Sequence, residues 1–433
     1  MNTDSLLQPF QKFGVNLGLS RIIKLLAKLN NPHQQIPIIH VAGTNGKGSV
    51  CAYLSSILTQ AGYRTGRYTS PHLIDWTERI CVNEQAIASE TLSQLIQQVQ
   101  AAIDKNEESP TQFEVITAAA WLYFAQQKVD IAVVEVGLGG RLDATNVCEQ
   151  PLVTVITSIS REHWQQLGST IKDITREKAG IIKARCPVVM GQLPDDAKQV
   201  VISRSLELQS PIFTPQPATE IRPGWAEYTS LGNGGNIEKS TFTIEYPLPL
   251  KGQIQLHNSA LALATVEILK TQGWQIFEQA ILQGLEKTKW PGRMQWFTWK
   301  NKQKNQDYQL LIDGAHNPAS AEVLRTYVNS LNYKNITWVM GMLANKDHGD
   351  IFQELLKTGD KLYLVPVPDS NFANLEDLKK LALKICPDLG LCSTYEDVFT
   401  ALDAAFTNSE NQDNPVVLCG SLYLIGHFLG NSH

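Results

Sequence analysis

The chain has 433 residues, a length that suits two or three domains with a buried core in each. Apolar residues make up 43% and charged residues 18%, a balance that excludes a disordered chain. With 37 basic and 42 acidic side chains the net charge is −5, which argues against a general nucleic-acid binder, since neutralising phosphates needs a basic surplus.

The first segment, MNTDSLLQPF, carries Asp4 and no basic run, so no secretory signal is expected there. No apolar run reaches the roughly 18 residues of a membrane span, and the expectation is a cytoplasmic enzyme. IPIIHVAG (36–43) reads as a buried strand and VCAYLSSILTQAG (50–62) as a helix ending at Gly62. TQFEVITAAAWLYFAQQ (111–127) reads as a helix, with Thr111 and Glu114 spaced as a capping box. VDIAVVEVG (129–137) and PLVTVITS (151–158) are strands too apolar to have a solvated face, which places them in a parallel sheet covered by helices.

Residues 211–256 are richer in Pro and Gly, as in TPQPATEIRPGW and SLGNGGN. With STFTIEYPLPL they predict a small β element. The helix HNSALALATVEILKTQG follows, then WPGRMQW (290–296). Beyond it YQLLIDG, ITWVMGML, KLYLVPVP and PVVLCG read as four strands with helical stretches between them, so a boundary is expected near Trp290–Lys300. The seven cysteines are odd in number and none lies in a C-x-x-C pair. They are expected to be small buried hydrophobes, not disulfides or zinc ligands.

GTNGKGS (43–49) lies between the first strand and its helix. Small residues let backbone N–H groups turn onto phosphate oxygens, and the helix N-terminus adds a positive dipole. Lys47 can reach the β/γ-phosphates and Ser49 can approach Mg²⁺, although Val41 and Gly48 depart from the general phosphate-loop pattern. Glu135 ends a buried strand before a Gly-rich turn, where it reads equally as a Mg²⁺ ligand or as a core acid paired with Arg141. His163 and Ser70 follow further strands, so three strand ends converge as open α/β sheets require of a ligand site, although a lone His is commonly structural. Lys178, in REKAGI, reads on composition as part of a solvated helix face.

Taken together, HVAGTNGKGS, SPHL, VEVGLGGRLDATN, REKAGI, PGRMQ, DGAHNP and GSLYLIG resemble the folylpolyglutamate synthase/dihydrofolate synthase family of the Mur ligase superfamily, in that family's order from residue 40 to 426. The resemblance implies an α/β architecture. An N-terminal P-loop-type parallel-sheet ATPase domain would span 1–293, and a smaller C-terminal Rossmann-like α/β domain 294–433. It also implies ATP-dependent ligation of L-glutamate to dihydropteroate, to tetrahydrofolate or its polyglutamates, or to both, through an acyl phosphate. The partners implied are these small molecules, with no nucleic acid and no membrane, in a monomer.

Carried over by position, the resemblance assigns Gly46, Lys47, Gly48 and Ser49 to the ATP phosphates and Ser70, Glu135 and His163 to Mg²⁺. It turns Lys178 into an N-carboxylated lysine, an anion able to orient Mg²⁺ and its waters. Asn258 would meet adenine, Arg293 a phosphate and Asp313 the nucleotide, with His316 beside it as a catalytic candidate. Gln112, Phe113, Glu114, Leu142, Asp143 and Ala144 would line the pteroate pocket, Phe113 by stacking, though it reads equally as a core aromatic. ATP and Mg²⁺ are the implied cofactors, with a monovalent cation as an optional addition. Two departures stand out: Glu162 precedes His163 where the family often has Asp, and HNSALALA lacks the fuller motif ending in Asn258.

Two other readings compete. A Mur-type ligase for a UDP-sugar peptide would need a further domain before the loop, and 42 residues precede Gly43. A nucleotide-dependent switch would not need the second set, Arg293 and Asp313.

Overall fold

The computed structural model describes residues 3–13, 16–104, 106–230, 242–301, 306–368, 370–407 and 414–432. The SLGNGGN run, from residue 231 on, and the first two residues of STFTIEYPLPL lie outside them. The chain divides into two compact units, 1–71 with 76–249 and 254–289, and 72–75 with 250–253 and 290–433.

In the first unit the strands are β1 (Ile38–Ala42), β2 (Thr65–Tyr68), β3 (Ile80–Val82), β4 (Gln85–Ala86), β5 (Ile131–Glu135), β6 (Val153–Ile156), β7 (Val188–Met190) and β8 (Ile212–Phe213). Among the described residues they form one eight-stranded sheet in the order β4-β3-β2-β5-β1-β6-β7-β8. The run from β2 to β8 is parallel throughout, while β3 and β4 fold back antiparallel at one edge. Every residue of β1, β5 and β6 is buried, as their unbroken apolar sequences require of strands covered on both faces.

One face packs Leu7, Ile22, Leu26, Leu95, Val115, Trp121 and Phe124. The helix Lys47–Gln60 is buried along most of its length. It is approached so closely by the helix Glu278–Lys287 that a Cβ on Gly284 would lie 2.4 Å from the Ile57 Cα. Strands β9 (Thr219–Arg222), β10 (Trp225–Thr229) and β11 (Thr243–Pro247) form the small antiparallel sheet expected in the Pro/Gly-rich segment.

The first unit's topology fixes where a ligand can sit. Because β2, β5, β1 and β6 are parallel, their carboxyl ends lie along one sheet edge. From β1 the chain moves outward to β2 on one side, and from β5 it crosses β1 to reach β6 on the other. That reversal leaves a crevice at the carboxyl ends. Four segments emerge there: 69–71, 43–49, 136–145 and 157–163.

The second unit carries β12 (Gln295–Asn301), β13 (Gln306–Ile312), β14 (Thr337–Met340), β15 (Lys361–Leu364), β16 (Leu391–Thr394) and β17 (Val416–Cys419), in the order β12-β13-β17-β14-β15-β16. All pairs are parallel except β12–β13. Leu324, Trp338, Phe352 and Leu378 pack in one core, and Tyr363, Leu402, Leu418 and Phe428 in another. The expectation of four strands fell short by β12 and β16. These are the two edges of the sheet, where no continuous apolar run is needed.

All seven cysteines are free thiols, and five of them are buried. No helix among the described residues is long and apolar enough to cross a membrane.

Candidate active site

The loop after β1 is held open by its neighbours. Thr44 N–H donates to the Ser158 carbonyl at 2.7 Å, and Asn45 N–H donates to Ser158 Oγ at 3.0 Å. Ser160 N–H donates to Thr44 Oγ at 3.0 Å, so the segment after β6 fastens this loop at several points. Gly46 sits at φ +86° as the residue before the helix Lys47–Gln60, and no side chain caps that helix. Its first-turn N–H groups therefore keep the anion-binding character of a helix start.

Lys47 Nζ donates to the Thr44 carbonyl at 3.0 Å and lies 4.0 Å from Glu135 Oε1. Glu135, at the end of β5, accepts from the Ser70 backbone N–H at 3.2 Å. Glu135 thus stands between Lys47, at 4.0 Å, and the Ser70 backbone, at 3.2 Å. The pairing of Glu135 with Arg141 does not occur, because Arg141 instead binds Glu177 at 2.9 Å.

His163 stands at φ +50° before the short helix Trp164–Leu167. Its ring is 41% exposed and lies 3.9 Å from Glu162. Among the described residues no cluster of three or more His, Cys, Asp or Glu side chains is placed to hold a metal ion. The residues expected to hold the ion would offer one carboxylate, the hydroxyls of Ser49 and Ser70, and the ring nitrogen of His163. That set suits Mg²⁺, which takes one or two carboxylates and completes its shell with waters and the phosphates of a nucleotide.

Lys178 does not lie on a solvated face. It is 6% exposed, on the helix Ile171–Ala179, and its Nζ donates to the Gly43 carbonyl at 2.7 Å. Burial first, and then the neighbouring Lys47 charge, lower its pKa to about 7, against a partial pull from Glu162 and Asp143.

Asn258 packs on the loop, where a Cβ on Gly46 would lie 2.5 Å from its Oδ1. Its Nδ2 donates to Gln255 Oε1 at 3.1 Å, and Gln255 Nε2 reaches Ser49 Oγ at 3.5 Å. Gln255 is a residue that sequence reasoning missed. The helix begins at Ile254, three residues before the predicted start, so Gln255 lies buried one turn before Asn258, in a stretch read as preceding the helix.

The pteroate candidates fall into two groups. Gln112 and Phe113 open the helix Gln112–Gln126, behind the predicted capping box of Thr111 and Glu114. Gln112 Nε2 is buried with no protein partner. The Phe113 ring lies on the backbone of Gly137, where an added Cβ would come within 2.3 Å of it. Glu114 is engaged with Thr111 N–H at 2.7 Å and with Arg21 at 3.0 Å, so its visible work is to hold the helix start.

Asp143 is buried. It accepts from the N–H groups of Leu138 at 2.8 Å and Thr145 at 3.0 Å and from the Thr145 hydroxyl, so it shapes the turn on which Leu142 and Ala144 lie. Burial raises its pKa against those hydrogen bonds. Because the Thr145 hydroxyl donates to Asp143, His40 Nε2 must donate to Thr145 Oγ, at 2.9 Å. His40 is buried, and desolvation lowers its pKa to about 3.

The second unit carries its own cluster. Asp313 is buried and accepts from the N–H groups of Met294 and Ala315, each at 2.8 Å. Burial raises its pKa, and the nearby Arg293 opposes the rise. A Cβ on Gly314 would lie 2.6 Å from Arg293 Nη1. His316 Nδ1 bonds the Gly314 carbonyl at 2.7 Å and therefore carries the proton. Arg293, Asp313 and His316 thus gather at one turn.

An anion-ready loop beside a carboxylate, on a doubly wound sheet, is the arrangement of a nucleotide-dependent enzyme, and the sequence match puts it in the Mur ligase class. The Mur ligase middle domain matches residues 41–266, and the dihydrofolate synthetase C-terminal domain matches 295–431. Folylpolyglutamate synthase of Lacticaseibacillus casei is 36% identical over 423 residues, 93% of this chain and 92% of that protein. Dihydrofolate synthase/folylpolyglutamate synthase of Bacillus subtilis (strain 168) is 35% identical over 425 residues, 96% of this chain and 94% of that one. The structure of E. coli FolC in complex with DHPP and ADP superposes with a TM-score of 0.81 at 29% identity, covering 98% of this chain and 95% of that one. The chain belongs to the folylpolyglutamate synthase/dihydrofolate synthase family of ATP-dependent ligases.

Proposed function

We propose that the chain joins L-glutamate to a pteroate or folate acid, dihydropteroate and tetrahydrofolate or its polyglutamates being the two substrates to compare, with γ-linkage in the second case. A carboxylate and an amine do not condense in water, so an oxygen of the acid must become a leaving group. Transfer of the ATP γ-phosphoryl makes an acyl phosphate. The glutamate amine attacks the acyl carbon, and phosphate departs with the former carboxylate oxygen.

The observation that carries this reading is the pairing of Lys47 with Glu135 beside an uncapped helix start. Lys47 would counter charge on the transferred phosphoryl, and the loop N–H groups would cradle the phosphates beside it. Mg²⁺, when bound with the triphosphate, neutralises further charge there, and Ser49, Ser70, Glu135 and His163 would hold it. Lys178 would serve as an N-carboxylate. Its lowered pKa supplies the uncharged amine that CO₂ needs, and the resulting anion would answer the Lys47 charge. Asn258, Arg293 and Asp313 would bind ATP, and His316 would stand close to that nucleotide. Leu142, Asp143 and Ala144 would frame the acid with Gln112, Phe113 and Glu114. The protein would act as a cytoplasmic monomer.

The test is phosphate release measured with ATP, L-glutamate and each acid in turn. Release that requires both glutamate and an acid is expected. ATP turnover indifferent to glutamate would remove the ligase reading.

A further inference from the structure

Arg21 lies outside every group assigned above, yet it connects three segments around the acid candidates. It is carried on the helix Ser20–Lys28, and its side chain is 7% exposed. Nε donates to Glu114 Oε2 at 3.0 Å, Nη1 to Glu108 Oε1 at 3.2 Å, and Nη2 to the Asn16 carbonyl. The Glu114 oxygen that it holds also accepts from Thr111 N–H, so the guanidinium fixes the cap directly behind Gln112 and Phe113. Asn16 Nδ2 donates to Glu108 at 3.0 Å, and Gly18 N–H donates to the Leu142 carbonyl at 3.3 Å. The same cation thereby ties the start of one wall of the acid candidates to a strap that runs onto the other.

A planar fork with several donors suits this task, because it can satisfy three acceptors in fixed directions where an ammonium on a flexible stem cannot. The wall it braces has an unfilled requirement. Gln112 Nε2 is buried with no protein acceptor, and the Phe113 ring beside it is only half-buried against Gly137. A donor of this kind takes an acceptor from outside the protein, from a bound water or from a ligand that displaces it. A flat, acceptor-bearing heteroaromatic acid offers both the acceptor and a face for the ring.

We propose that Arg21 is a positioning residue for the acid substrate. It would act through Glu114 and Asn16 to set Gln112 and Phe113 against Leu142, with no contact of its own to the nucleotide or the reacting atoms. The inference rests on the pteroate or folate reading above.

The experiment is steady-state kinetics of Arg21→Gln and Arg21→Lys, varying the acid, ATP and L-glutamate separately. Arg21→Gln is expected to raise KM for the acid by about tenfold or more, because small displacements of binding groups are costly. KM for ATP is expected to stay within about twofold. Arg21→Lys keeps the charge beside Glu114 but loses the fork, so it should fall between Arg21→Gln and wild type. A purely structural role would instead lower kcat and shift all three KM values together, and that outcome overturns the proposal. So does an unchanged KM for the acid in a folded variant. Should Arg21→Gln fail to fold, Arg21→Lys decides on the same readout. If the wild-type protein releases no phosphate with either acid, the functional reading itself fails. If it does and the variants keep the wild-type KM for the acid, the Arg21 inference alone fails.

Discussion

Lys178 Nζ donates to the carbonyl of Gly43, the first residue of the phosphate loop, at 2.7 Å. Burial on the helix Ile171–Ala179, and then the Lys47 charge, push the pKa of this amine down to about 7, far below an ordinary lysine. A neutral amine still donates this hydrogen bond, and a carbamate nitrogen keeps one N–H to do the same.

Carbamate formation needs the neutral amine, so its pH course is set by that lowered pKa. With ¹³C-labelled bicarbonate, a carbamate resonance should grow as pH rises through about 7 and level off above it, and Lys178→Arg should abolish it. No such resonance at pH 8 would remove the assignment. In the unmodified protein the unfolded chain holds the proton up to about 10.5 and the folded chain only to about 7, so stability should rise with pH across that interval.

Lys47→Ala should lower glutamate-dependent phosphate release by at least about 100-fold, as expected for removing a charge aimed at the transition state. Circular dichroism and the melting temperature should stay close to wild type, because Lys47 makes one hydrogen bond, to the Thr44 carbonyl, and its pairing with Glu135 is long, at 4.0 Å. Activity retained in a folded variant would undo the assignment of the loop.

His40 predicts acid sensitivity of the first unit. Its folded-state pKa, lowered to about 3, lies below its ordinary value near 6.5. Between these two values the unfolded chain binds a proton that the folded chain refuses, so stability is lost as pH falls through that window. Urea denaturation from pH 7 to pH 4 should show the decline, and His40→Gln should flatten it. An equal decline in both proteins would place the sensitivity elsewhere.

In the second unit Asp360 is buried and receives the Arg325 guanidinium, the Trp338 indole N–H at 3.1 Å and the Ile336 N–H at 2.9 Å. Asp360→Ala leaves Arg325 as a buried, uncompensated cation and should cost about 3–5 kcal/mol. Chemical denaturation of the full chain, followed by tryptophan fluorescence, reads this directly, and a loss below about 1 kcal/mol would contradict it.

Much of the first unit was legible because its strands are buried on both faces. IIHVA, IAVVE and VTVI have no alternative to a covered parallel sheet, and the capping box at Thr111 and Glu114 appears as spaced. The edge strands β12 and β16 were not legible, since a half-exposed strand needs no apolar run. Lys178 illustrates a different limit. Its helix has a charged sequence, and it takes the contact of Lys178 with the Gly43 carbonyl, 135 residues away, to show that one of those charges faces inward. Gln255, Arg21 and the link from His40 through Thr145 to Asp143 join residues far apart in the chain, and no local pattern announces such pairings.

The run from Asn258 through Gln255 to Ser49 has an evolutionary corollary. The Gln255 amide gives its acceptor to one neighbour and its donor to the other, in a buried place. Drift at any one of the three strands a polar group, so descendants of this gene should exchange the trio together or keep it whole.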